Sequence, residues 1–211
     1  MASEEDVLSV KSVDVNRYFI VHKPYNMVSQ FVSSHKVRLL GDLNFNFPDG
    51  THAVGRLDIN SEGLLILTTN KKVTRLLFES EKQHERVYLV QVKKVVTDAA
   101  LQQLRDGVSI RVKGGGDYIT SCCKAEIAEN PGAFINLKND SREYNPSTWL
   151  LITLTEGKFR QVRKMVAAVN HQCKRLVRVS IENVRLGALQ PGEVREVEEA
   201  EFFRQLCIDN Y

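Results

Sequence analysis

The sequence is poor in cysteine and sets none of it at metal-ligand spacing. Cys122, Cys123, Cys173 and Cys207 form no C-x-x-C pair, and two of the four are neighbours. They read as buried or inert thiols of a reducing compartment. His22, His35, His52, His84 and His171 show no H-E-x-x-H or comparable spacing, so no metal is expected. Gly114-Gly115-Gly116 lacks the following Gly-Lys-Ser/Thr of a phosphate loop, which argues against a nucleotide cofactor. No run reaches the ~18 apolar residues that cross a bilayer. The opening MASEEDVLSV is acidic and has no basic stretch leading into an apolar one, unlike a secretion signal. The expectation is a cytoplasmic chain with no membrane partner, in which the glycosylation sequon at Asn139-Asp140-Ser141 has no role.

What is present is ordinary in amount and uneven in placement. Hydrophobic residues make up 43% and charged residues 26% of 211 positions. That suits a folded chain with a real core, in one large domain or two small ones. The formal net charge is +3, yet residues 156–185 hold eight Lys or Arg against two Glu. The last twenty residues carry six acids and two arginines. A basic segment concentrated on a nearly neutral chain suggests contact with a polyanion; a solvated helix face is the alternative.

Residues 1–16 read as a flexible leader and 17–211 as the folded domain. Arg17 to His22 reads as a buried strand stopped by Lys23-Pro24, and 41–51 as loop. Leu64 to Thr69 has the apolar run of an interior strand, and Asn70 is placed to cap a helix over 71–79. Arg86 to Val96 alternates as a long strand. Thr97 caps a helix through Arg105 that Gly107 ends. Residues 108–147 read as strands and loops, with the glycines 114–116 at a turn. Trp149 to Leu154 is a strand, 159–169 a helix and 176–184 a strand; Pro191-Gly192 is a turn before a short amphipathic C-terminal helix. This mixture without strict βαβ alternation predicts an α+β fold with a mainly antiparallel sheet.

Asp58 ends a Gly-Arg-Leu-Asp loop just before an interior strand. Local sequence leaves it open between a surface turn residue and an acid held near the core, where it needs a cationic partner. On the helix over 159–169, Val162, Met165, Val166 and Val169 share one face, and Arg160 and Lys164 fall opposite. Arg163 lies at the border, about 100° from Val162 at ~3.6 residues per turn. There its planar fork can reach a buried acid, while Arg160 and Lys164 stay available for phosphates. Tyr88 packs in the core by default, but beside a cleft it can stack on an extruded base. A plain amphipathic helix remains the alternative for the basic residues, and no helix-turn-helix pattern supports DNA binding.

Taken together, Gly55-Arg56-Leu57-Asp58 with Ser61-Glu62-Gly63-Leu64-Leu65, Glu85-Arg86-Val87-Tyr88-Leu89-Val90 and Glu156-Gly157-Lys158-Phe159-Arg160-Gln161-Val162-Arg163-Lys164-Met165 resemble the motifs of the RsuA/RluB/RluE/RluF family of ribosomal RNA pseudouridine synthases. Arg175-Leu176-Val177-Arg178-Val179 and Pro191-Gly192-Glu193 follow in the family's order, and the likeness runs from about residue 17 to 197. Lys23 to Phe31 and Ser147-Thr148-Trp149-Leu150 resemble the RluE-type branch, whose members lack the N-terminal S4-type domain of other members. Ile59-Asn60, Arg86, Phe159 and Lys164 depart from the commoner residues at their positions.

The resemblance implies two subdomains flanking a catalytic cleft, and isomerisation of a uridine in large-subunit (23S) ribosomal RNA by a monomer that needs no cofactor. It implies Asp58 as essential carboxylate, Arg163 as its ion-pair partner and Tyr88 against the base. By the same likeness Arg56 fills space beside the flipped nucleotide, Leu176 gives an apolar wall, and Arg160, Lys164 and Arg178 contact RNA. It leaves open whether Asp58 attacks C1′ or removes a ribose proton. A non-catalytic RNA-binding or ribosome-assembly protein on the same fold is the alternative.

Overall fold

Tyr18–Lys23 forms strand β1, and all six side chains are buried, the lysine included. The computed structural model describes residues 15–79, 82–137, 146–209 and 211. Most of the expected leader and the sequon at Asn139 lie outside them. After β1 come β2 (His52–Val54), β3 (Glu62–Thr68), α1 (Val73–Phe78), β4 (Arg86–Lys93), α2 (Asp98–Asp106), β5 (Ser109–Arg111) and β6 (Asp117–Ile119). The remainder is β7 (Lys124–Ile127), β8 (Ser147–Leu154), α3 (Gln161–Ala168), β9 (Cys173–Ile181), β10 (Val184–Arg185), β11 (Val194–Val197) and α4 (Glu199–Gln205). The α+β expectation holds.

Nine strands make one sheet in the order β11-β1-β3-β9-β4-β8-β7, with β2 and β10 pairing β3 and β9 off this path. Among the described residues the strand pairs are antiparallel except β3 with β9, which run parallel over two residue pairs, Glu62↔Val177 and Gly63↔Arg178. This short seam joins the two halves of the sheet. A separate hairpin pairs β5 with β6 around the triple glycine, as expected of a turn there.

Burial explains the strand lengths. All seven residues of β3 are buried, as the apolar run demands for a strand covered on both faces. On one side Phe19, Leu65 and Leu67 pack with Phe45 and Phe47, whose rings lie 5.4 and 5.5 Å from that of Phe19. On the other, Tyr18, Leu64 and Ile66 pack with Phe202 and Phe203 of α4. The outer half has its own core, where Val162, Met165 and Val166 of α3 meet Val90 and Val92 of β4 and Leu104 of α2. The Thr97 hydroxyl accepts from the Ala100 amide and Gly107 ends α2, as the sequence indicated.

Several boundaries differ from expectation, among them the helix expected over 71–79, which runs Val73–Phe78 with Lys72 and not Asn70 before it. β4 stops at Lys93, because Lys94 turns left-handed at φ 74°. β9 begins at Cys173 and closes at Ile181, where Glu182 is also left-handed. The helix expected from 159 begins at Gln161, because Arg160 adopts φ 55° and interrupts the helical path. Arg160 is therefore the residue before the helix and not a member of its polar face.

Candidate active site

A cleft of about 390 Å³ opens at the seam between the two half-sheets. Its size falls in the roughly 300–1,000 Å³ of small-molecule sites. Strands β4, β9 and β8 (through Leu154), two loops and the start of α3 supply it. The loop before β3 brings Arg56, Asp58 and Ser61; β4 brings Tyr88; β9 brings Leu176; the turn from β8 into α3 brings Glu156 through Val162.

The loop carrying Asp58 is anchored one residue upstream. Leu57 is 8% exposed, and Ser29 both donates to its carbonyl and accepts from its amide at 3.0 Å. The Ser61 amide then donates to the Asp58 carbonyl at 3.0 Å, closing a tight turn. Asp58 itself is half-buried and faces the cleft.

Arg163 does not form the expected ion pair with Asp58. Its Nη2 donates to the Asn60 carbonyl at 2.6 Å and approaches the Ser61 hydroxyl at 3.5 Å, while Nη1 meets the Cys173 sulfur at 3.4 Å. The border position on α3 does aim it at the loop, but at the main chain rather than the carboxylate. A cation that feels Asp58 comes from elsewhere. Lys23 is fully buried, with Nζ donating to the Pro24 and Met27 carbonyls at 2.8 and 2.6 Å. Burial pushes its pKa down to about 8, and the charges of Glu62 and Asp58 oppose that shift. Glu62 is in turn held by Arg175 through two 3.1 Å bonds inside the protein. Lys23 and Glu62 lay in quoted motifs, but nothing in their spacing showed that they would be buried below the loop.

Tyr88 and Leu176 both line the cleft, so the structure brings Asp58, Tyr88 and Leu176 together. Arg56 and Arg160 are exposed at its rim. Lys164 is not among its lining residues; its Nζ donates to the Arg111 carbonyl at 2.6 Å and lies 5.3 Å from the Phe159 ring centre. Arg178, expected at the RNA, is 3% exposed and donates from Nε to the Leu64 carbonyl at 2.8 Å. Burial lowers its pKa, and its interaction with Tyr88 works against that. A guanidinium so enclosed does not meet a phosphate, and that expectation is corrected.

Sequence reasoning also missed the scaffold of the third motif. The Glu156 carboxylate accepts from the Tyr118 hydroxyl, from the Ser121 amide at 3.0 Å and from Gln161 Nε2 at 2.6 Å. Burial would raise its pKa, but these donors outweigh it and the net shift is down. Phe159 stands 62% exposed at the mouth of the cleft. Among the described residues no group of three or more His, Cys, Asp or Glu is gathered as a metal site.

A carboxylate on a pinned loop, a phenol, an apolar side chain and a cationic rim thus line one cleft, a combination with the chemistry to take a single nucleotide. Residues 17–168 match the family model described as RNA pseudouridylate synthase. The chain is 36% identical over 187 residues to "Ribosomal large subunit pseudouridine synthase E" of Vibrio vulnificus (strain CMCP6), covering 88% of this chain and 77% of that one. It is 35% identical over 175 residues to the protein of the same name from Xanthomonas axonopodis pv. citri (strain 306), covering 82% and 89%. A solved structure described as a crystal structure of pseudouridylate synthase shares the fold at TM-score 0.73 and 23% identity, over 92% of this chain and 75% of that one. With the family model spanning well over half its length, the chain belongs to the RNA pseudouridylate synthase family.

Proposed function

We propose that this enzyme isomerises a specific uridine of large-subunit ribosomal RNA, with Asp58 as the essential carboxylate. The observation that carries the assignment is Asp58 on its anchored loop, lining one cleft together with Tyr88 and Leu176. Relatives named for large-subunit RNA, at 34–36% identity, support that target over other RNAs.

In the reaction the uracil N1–C1′ bond breaks and a C5–C1′ bond forms. C5 loses its proton and N1 gains one, so no oxidant or energy source is consumed. Asp58 acts at the ribose, either as nucleophile on C1′ or as base toward a ribose proton. Tyr88 holds the base while it turns, Leu176 excludes water from its edge, and Arg56 fills space beside the flipped nucleotide. Arg163 works through the Asn60 carbonyl to fix the loop, a role one step removed from the ion pair. The exposed Arg160 contributes charge toward the phosphates. The protein acts as a monomer in the cytoplasm, on RNA and not on DNA.

The test is release of tritium from C5-labelled uridine in large-subunit RNA by the purified protein, with Asp58→Ala alongside. The wild type is expected to release it and the variant to be inactive with an unchanged melting curve. Full turnover by Asp58→Ala would overturn the assignment. Pseudouridine mapping with and without the gene locates the uridine; an unchanged map would favour the assembly-protein reading.

A further inference from the structure

Arg178 is a charged side chain inside the protein whose role the reaction outlined above does not use. It is 3% exposed. Its Nε is satisfied by the Leu64 carbonyl, yet its Nη2 is buried with no hydrogen-bond partner among the described residues. A cation carried into a core with one donor unmatched costs stability, and an apolar residue of similar volume would cost less. Something other than stability is being served.

Its position shows what that is. In the pairing of β4 with β9, Tyr88 lies opposite Arg178 and Val90 opposite Leu176. Residues two apart on a strand share a face, and cross-strand partners stand side by side on it. Leu176 and Tyr88 both line the cleft, so Arg178 stands on the same face, next to Tyr88 and behind it. The pairing puts its guanidinium beside the Tyr88 side chain, which works against the lowering of the arginine's pKa by burial. The pairing is also irregular here: Val87 faces Ser180 and Tyr88 faces Arg178, so β9 carries one extra residue, Val179, beside the pair.

Arg178 touches the other side of the site as well. Its main chain lies against Gly63 at the seam, so close that a Cβ on Gly63 would sit 2.3 Å from the Arg178 oxygen. The Leu64 carbonyl that its side chain holds is six residues after Asp58. One residue thus joins the strand that leaves the Asp58 loop to the strand that carries Tyr88.

We infer that Arg178 is a positioning residue for the isomerisation: it fixes the Tyr88 side chain relative to the Asp58 loop, across the seam between β3, β9 and β4. This rests on the assignment of Asp58 and Tyr88 to the reaction. Arg178 does not touch the substrate. Its removal therefore lowers the rate of the bound complex and leaves RNA affinity alone, because the misplaced group matters only once the base is seated.

The test is a double-mutant cycle on Tyr88→Phe and Arg178→Lys, read as kcat and KM on a large-subunit RNA fragment. Lysine retains a cation and one bond toward Leu64 but lacks the planar fork that extends from there beside Tyr88. Arg178→Lys is expected to lower kcat roughly 10- to 100-fold, as small misplacements do, with KM within about threefold. In the Tyr88→Phe background the same substitution is expected to lower kcat less than about twofold further, since coupled residues are not additive. An equal fall in both backgrounds, a rise in KM alone, or no change would overturn the inference. Tyr88→Phe with wild-type kcat would show that the reaction does not need the Tyr88 hydroxyl that Arg178 is inferred to fix, and would overturn this inference. An inactive Asp58→Ala beside an additive cycle would sink the inference while leaving the enzyme's function standing. A measurement that does not depend on Arg178→Lys folding is the guanidinium nitrogen resonance of Arg178 in otherwise unaltered protein. It is expected to shift when Tyr88 becomes Phe, and an unmoved resonance would count against the link.

Discussion

Arg163 holds the Asp58 loop by the carbonyl of Asn60, 2.6 Å from its Nη2, two residues past the acid it serves. The loop's path to β3 depends on this bond, since Asn60 lies between Asp58 and the buried Ser61. Arg163→Met is expected to lower kcat about 100-fold, the scale of an ångström-sized misplacement, with a smaller effect on KM. Single-turnover rates at saturating enzyme would measure it. A rate within twofold of wild type would mean the loop holds its place without Arg163.

Ser29 holds the same loop from the opposite side in sequence. Its hydroxyl spans both main-chain groups of Leu57 at 3.0 Å, and both residues are buried. Ser29→Ala leaves a buried amide and a buried carbonyl without these partners, at a cost of about 1–3 kcal/mol for each such group. Urea denaturation is expected to show a lower midpoint at an unchanged slope. Activity is expected to fall together with stability, because the segment released is the one that aims Asp58. Ser29→Thr keeps the hydroxyl and is the control that should retain both.

Much of this site was legible because its parts were motif-bearing, and the strands were legible because they were apolar. β1 and β3 could be read from runs that can only be interior. The buried face of α3 followed from its helical spacing. What escaped was set by single dihedrals and by distant packing. The left-handed turn at Arg160 took that residue off the helix, and no periodicity announces one such angle. Arg163 was aimed correctly toward the loop, but pattern alone cannot choose between a carboxylate and a carbonyl two residues on. Arg178 looked like any arginine of a basic segment; only the seam between β3 and β9 shows that it is enclosed.

The rim and the interior arginines therefore divide in their response to salt. Arg56 and Arg160 are exposed at the cleft mouth. If each neutralises one phosphate, its replacement by alanine reduces the magnitude of the salt slope of RNA binding by about 0.7, the value for a single-stranded contact. Filter binding between low and moderate salt would measure the slope for each variant. Arg178→Lys is expected to leave it unchanged. A slope unchanged by both rim substitutions would remove them from the RNA contact.

Lys23 gives the protein a signature at alkaline pH. In the folded chain its ammonium is buried, which lowers its pKa to about 8 from the usual 10.5 even though Glu62 and Asp58 pull it upward; Arg38 adds to the lowering. The unfolded chain then holds the proton at pH values where the folded chain has released it. Stability rises with pH wherever the unfolded state binds more protons. The burial penalty of Lys23 is thus fully present below pH 8, declines between about 8 and 10.5, and is gone above. Lys23→Met removes this titration while leaving the Pro24 and Met27 carbonyls without the bonds the lysine gave them. The difference in unfolding free energy, wild type minus variant, is expected to grow with pH across that window, measured by urea denaturation at several pH values from 7 to 10.5. Taking the difference cancels tyrosines and cysteines that titrate in the same range. A gap that stays flat would place the Lys23 proton release outside the window and would show that the charge below the Asp58 loop is held more firmly than its burial implies.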